Sequence, residues 1–148
     1  MTTLALFIAF AGFIIGLGAV TVIDLHGFLG RTSAYWTEAT TRTHKVTKPL
    51  IWIGITLVGI GWLLFYRAYP YGTTQMIHRI SFVLMILNGI FLTFSVSPFL
   101  LKREKEGKQR ELLPASWQIK ITFSFIISWL LWWGNLLLFV SFIAHHMS

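Results

Sequence analysis

LALFIAFAGFIIGLGAVTVI, residues 4–23, runs for twenty positions without a charged side chain. At 1.5 Å per residue, twenty residues span the ~30 Å hydrocarbon core of a bilayer as a helix. Within this stretch Ala5, Ala9, Gly12, Gly16 and Ala19 recur at steps of four and three. That spacing lines small residues along one helical seam, where a second helix or a flat ligand can approach closely. Gly12-Phe-Ile-Ile-Gly16 is itself a small-x-x-x-small pair. The same seam, continued, passes Ile23 and reaches His26, which is predicted to face the packed interior.

Three further apolar runs follow, Pro49–Tyr66, Ile77–Leu101 and Trp117–Ala144. The chain is 55% hydrophobic and only 11% charged. A soluble domain carries roughly 25% charged residues, so water is not the main solvent here. The runs lack the strict alternation of barrel strands, and only helices or closed barrels satisfy the backbone in lipid. The expected fold is all-α: a polytopic integral membrane protein built as one domain, residues 1–148, in an antiparallel four-transmembrane-helix bundle. Helices are expected at about 4–30, 33–66, 77–101 and 117–144. Residues 32–48 read as a short cytoplasmic amphipathic helix, with Ser33 as its cap and Glu38 paired to Arg42 one turn later. Pro49 is expected to open the span that follows, and Pro98 to kink or end the third. The first run has no basic leader and no small-residue cleavage site, so it is expected to be a retained helix.

The net charge of +7 is unevenly placed. Arg31, Arg42, Lys45 and Lys48 fall between the first two runs, and Lys102, Arg103, Lys105, Lys108 and Arg110 between the last two. The opposite side has Arg67 and Arg79. This positive-inside asymmetry puts loops 24–48 and 102–116 in the cytoplasm and both termini outside, with a prokaryotic inner membrane as the expected setting. The charge marks topology and lipid contact, and no nucleic-acid partner is expected. The run from Leu101 to Arg110 reads as a solvated, mobile loop. The chain has no cysteine, which excludes disulfides, thiolate-held iron–sulfur clusters and covalently attached haem. No Ser-His-Asp arrangement, nucleophile elbow or phosphate loop is present, so catalysis by side chains alone is not expected.

The chemistry therefore rests on histidine. His26 and His44 flank the first basic loop, His78 opens the third run, and His145 with His146 closes the fourth. Ionisable residues at membrane depth are costly and mark function. Each histidine shares a seam with small or polar residues: Thr47, Gly54 and Gly61 for His44; Ser81, Met85 and Asn88 for His78; Asn135, Ser128 and Ser124 for His145. Asn88 and Asn135 are expected near one depth, where an interhelical amide bond would join them. Trp129, Trp132 and Trp133 are expected to pack against neighbouring helices or another subunit.

Neutral imidazoles ligate haem iron, copper and zinc. Haem b is expected between His26 and His44, with Arg31, Arg42, Lys45 and Lys48 near its propionates, and at a second site between His78 and His145 or His146, with Arg79 beside it. Two such sites would carry electrons across the bilayer. The alternative is copper or another metal at His26, His44, His78 and His145, with Met76, His146 and Met147 adding soft donors on the outer face and Asp24 and Glu38 on the inner one. A third reading is a non-enzymatic assembly subunit, forming a homo-oligomer or binding a membrane-protein partner through the Gly12/Gly16 face.

The stretch from Arg31 to Gly54, RTSAYWTEATTRTHKVTKPLIWIG, resembles the small membrane proteins of the copper-resistance-D and protoporphyrinogen-oxidising superfamily. Those proteins are four- to eight-helix bundles with a basic amphipathic segment before a proline-opened helix. The resemblance implies haem b binding or copper handling, and it carries over to Arg42, His44, Lys45 and Pro49. One departure stands out. The haem-biosynthetic members have a histidine early in the first helix, and Met1–Ile23 contains none.

Overall fold

The structure, a computed structural model, describes residues 2–147, with Met147 placed by its backbone only. Four helices are long and apolar enough to cross a membrane. We label them α1 (Thr2–Leu29), α2 (Ala34–Tyr66), α3 (Thr73–Lys105) and α4 (Ala115–Met147). The chain is an all-helical, antiparallel four-helix membrane bundle, as composition and run length predict. Large apolar side chains such as Phe7, Ile14, Leu63, Phe94 and Leu137 cover its outside, the surface that lipid wets.

The α1 seam is buried as expected, with Ala5, Ala9, Gly12, Gly16 and Ala19 all inside. It packs on a matching seam of α2 in which Gly54, Val58 and Gly61 are buried. A methyl group on Gly54 would lie 2.5 Å from Gly16 Cα, and one on Gly12 would lie 2.6 Å from the Val58 nitrogen. The two backbones touch, and only glycine allows it. Gly16 also receives the indole of Trp132 from α4. The Gly12/Gly16 face is thus spent inside the chain. That corrects the expectation of a partner surface there, because α2 and Trp132 already cover it.

Two prolines behave differently from expectation. No separate amphipathic helix precedes Pro49: residues 34–66 form one helix with the proline inside it. The missing donor is tolerated because Pro49 and Lys45, whose carbonyl it leaves free, are both exposed. Pro98 does not end α3 either. A π turn at Leu92–Val96 immediately precedes it, and the wider turn relieves the clash of the proline ring with the carbonyl four residues back. The extra residue rotates the rest of α3, so Val96, Ser97 and Leu100 are buried where a continued seam would have placed Ser95.

α3 and α4 are joined by Asn88, whose Nδ2 donates to the Ser124 carbonyl at 3.2 Å while its Oδ1 accepts from the Ser124 hydroxyl at 2.6 Å. Near the basic end Phe99 stacks on Trp117 with ring centroids 3.9 Å apart. Together they set a register in which Asn88 meets Ser124 and not Asn135, which sits three turns further along α4. Trp132 is fully buried, whereas Trp129 and Trp133 are roughly half exposed on the lipid side.

Candidate functional site

The bundle is solid at one end and hollow at the other. At the end away from the basic loops, Phe13, Trp62, Phe65, Phe139 and Phe142 fill the interior. At the basic end all four helices line a pocket of about 80 Å³, partly open at its edges. Its walls are mostly apolar, with Phe28, Ile51, Trp52, Leu92, Leu100 and Phe125 among them. Three ionisable groups line it: Asp24 from α1, and His44 and Lys48 from α2.

The inner half of α2 shows why these groups are held there. Thr37, Thr40, His44, Thr47 and Ile51 follow one another at helical steps and form its inward stripe. The threonines satisfy themselves locally. Thr40 donates to the Trp36 carbonyl at 2.7 Å, Thr41 to Thr37 at 3.2 Å and Thr47 to Thr43 at 3.1 Å. Thr37 also donates at 2.8 Å to the Gly30 carbonyl, tying α2 to the end of α1. His44 finds no such partner. It is buried, and its Nε2 has no hydrogen bond. Asp24 Oδ2 is buried and unpaired as well. A buried polar atom left without a partner costs about 1–3 kcal/mol. Trp62 Nε1, His78 Nε2 and both side-chain amide atoms of Asn135 are unpaired as well but sealed within the solid end, whereas Asp24 and His44 line a pocket.

Lys48 donates to Ser97 Oγ at 3.3 Å and Trp52 Nε1 donates to Thr93 Oγ1 at 3.0 Å. Both acceptors lie in or beside the π turn, whose extra residue turns them toward α2. π turns occur often at functional sites.

Neither expected histidine pair is in ring contact. His26 is half-buried; its Nδ1 is hydrogen-bonded to Thr43 Oγ1 at 3.2 Å, and its ring packs 5.1 Å from Trp36. No ring contact joins it to His44. His78 is buried in the solid end, stacked 4.6 Å from Trp62, with its Nδ1 bonded to the Tyr66 hydroxyl. His145 is exposed and touches the ring of His146, itself stacked on Phe142 at 4.0 Å. No ring contact joins His78 to His145 either. Met76 is also exposed, and the side chain of Met147 lies outside the described residues. Among the described residues, no cluster of three or more His, Asp or Glu side chains converges as a metal ion would need.

Three of the four expected propionate partners stand away from the pocket wall. Arg31 lies over the Phe28 ring at 5.1 Å. Arg42 pairs with Glu38 at 2.6 Å, the predicted one-turn ion pair, and Lys45 with Glu104 at 2.8 Å. The cation that does line the pocket is Lys48. Comparison of the chain with protein-family models, curated proteins and solved structures finds no match. The function is therefore argued from this pocket.

Proposed function

We propose that the protein is a membrane binding protein for a flat, lipid-soluble ligand with a polar edge, held in the pocket at the basic end. The observation that carries this reading is the pair of unpaired buried atoms, His44 Nε2 and Asp24 Oδ2, on the wall of an otherwise apolar pocket. Haem b is the first ligand to test. His44 would be its protein ligand, Lys48 would meet a propionate, and Trp52, Phe28 and Phe125 would pack on the ring. Haem would supply one-electron chemistry there. The pocket offers one histidine ligand, not two, and at about 80 Å³ its walls would have to part further to admit the ring. The likeness of Arg31–Gly54 to a haem- and copper-associated superfamily supports the same choice, with His44 as the shared histidine. The basic end faces the cytoplasm in this reading, since every Lys and Arg except Arg67 and Arg79 belongs to it.

The test is an absorption spectrum of protein purified in detergent after haem supplementation during expression. A Soret band is expected in the parent protein and in His26→Ala, and its loss in His44→Ala. A colourless parent protein, or equal loss in both variants, rejects haem ligation by His44.

A further inference from the structure

The pocket is open only in part, and its walls differ in how they are joined. α1 and α2 meet backbone to backbone at Gly12, Gly16 and Gly54. α3 and α4 are tied by the Asn88–Ser124 bonds and by the stacked rings of Phe99 and Trp117. Beside the pocket, α2 is joined to α3 and to the strap after it, residues 106–114, by four polar bonds in sequence. Glu38 accepts from Arg110 at 2.8 Å, Lys45 donates to Glu104 at 2.8 Å, Lys48 to Ser97 at 3.3 Å and Trp52 to Thr93 at 3.0 Å. The four run as a zipper from the mouth of the pocket to its floor. The two outermost are salt bridges at the surface, where ion pairs contribute little and are screened by salt.

The strap, expected from its charge to be a solvated, mobile loop, is bonded back to α3. One Arg103 guanidinium binds the carbonyls of Lys108, Glu111 and Leu112 at 3.1, 3.0 and 3.3 Å. Gly107 takes the left-handed conformation, φ 72°, that starts the turn. Lys108, 3.0 Å from Glu106, holds that carboxyl below the usual carboxylate range. Leu113, from the strap, lines the pocket.

We propose that the α2–α3 seam is the gate of this pocket: it opens from the Glu38–Arg110 end by parting the two surface salt bridges, and the strap moves with α3. The gate rests on the pocket being the ligand site, but its test needs no ligand. The chain has no cysteine, and Gly27 lines the pocket with open space where a Cβ would stand. A Gly27→Cys protein in detergent is reacted with a positively charged methanethiosulfonate reagent. Slow labelling is expected, rising about five- to tenfold on adding Glu38→Gln with Glu104→Gln, or in high salt. Exchanging the partners, Lys45→Glu with Glu104→Lys, should keep the parent's slow rate. Thr40→Cys, also on the pocket wall, serves if Gly27→Cys does not fold. Equal rates in all variants, free-thiol rates in the parent, or fast labelling of the exchanged pair would overturn the gate. A working gate in a protein that never shows a Soret band would reject haem and leave the gate standing.

Discussion

The solid end and the hollow end of this bundle are made from the same four helices, and both hold buried polar atoms without partners, but at the hollow end these atoms face a pocket. At the solid end His78 is enclosed by Trp62, Phe139 and Tyr66, and its Nδ1 is paired with the tyrosine hydroxyl. His78 Nε2, the Trp62 indole nitrogen and the Asn135 amide stay unpaired within the packing, whereas the unpaired Nε2 of His44, slightly more exposed, lies on the wall of a pocket. The first histidine is part of the packing. The second is held available, at a cost in stability that a ligand would offset. In a membrane, where lipid is as apolar as leucine, close packing and satisfied polar groups decide which arrangement holds.

The largest effect that tests this contrast sits in the glycine seam. Gly54→Leu should cost about 3 kcal/mol or more, because its Cβ would meet the backbone of Gly16 and the two helices would have to part. Thermal unfolding in detergent reads it. Gly27→Ala, at the hollow end, meets no atom within 4 Å and should change stability by less than about 1 kcal/mol, in the stabilising direction. Similar losses at both sites would mean that the pocket is not a real void.

A smaller effect separates the two histidines. Tyr66→Phe strips His78 of its partner and should cost about 0.6–1.7 kcal/mol, the range found for hydrogen bonds between membrane helices. His44→Phe removes a nitrogen that already lacks a partner and should leave the ligand-free protein as stable as the parent, or more so. Destabilisation by His44→Phe equal to that of Tyr66→Phe would show that His44 is a structural residue after all.

Much of this architecture was legible in the residues. The run of residues 4–23 with its 4-3-4-3 spacing of small side chains fixes both the span and the buried face of α1. What the spacing does not say is who fills that face, and here it is α2 and Trp132. The hollow end was partly legible too. His44, Lys48 and Trp52 follow one another four residues apart, so a stripe combining imidazole, ammonium and indole could be read from α2 alone. Asp24, the one carboxylate within α1, was visible only as part of a mixed set that would suit a metal. The π turn was not legible, since a wide turn is an accommodation between Pro98 and the α2 contacts at Thr93 and Ser97. Whether histidines meet across helices was not legible for a related reason. A seam gives the face of a helix but not the depth of its neighbour, and at the real register His26 meets Trp36 and Thr43.

The central claim is that a ligand completes the hollow end alone. Hydrogen–deuterium exchange with and without saturating haem b tests it most directly. The account predicts added protection in residues 34–52 and 89–114, around the pocket and its strap, with residues 62–82 and 135–146 unchanged. No change anywhere, or equal protection at both ends, would contradict it.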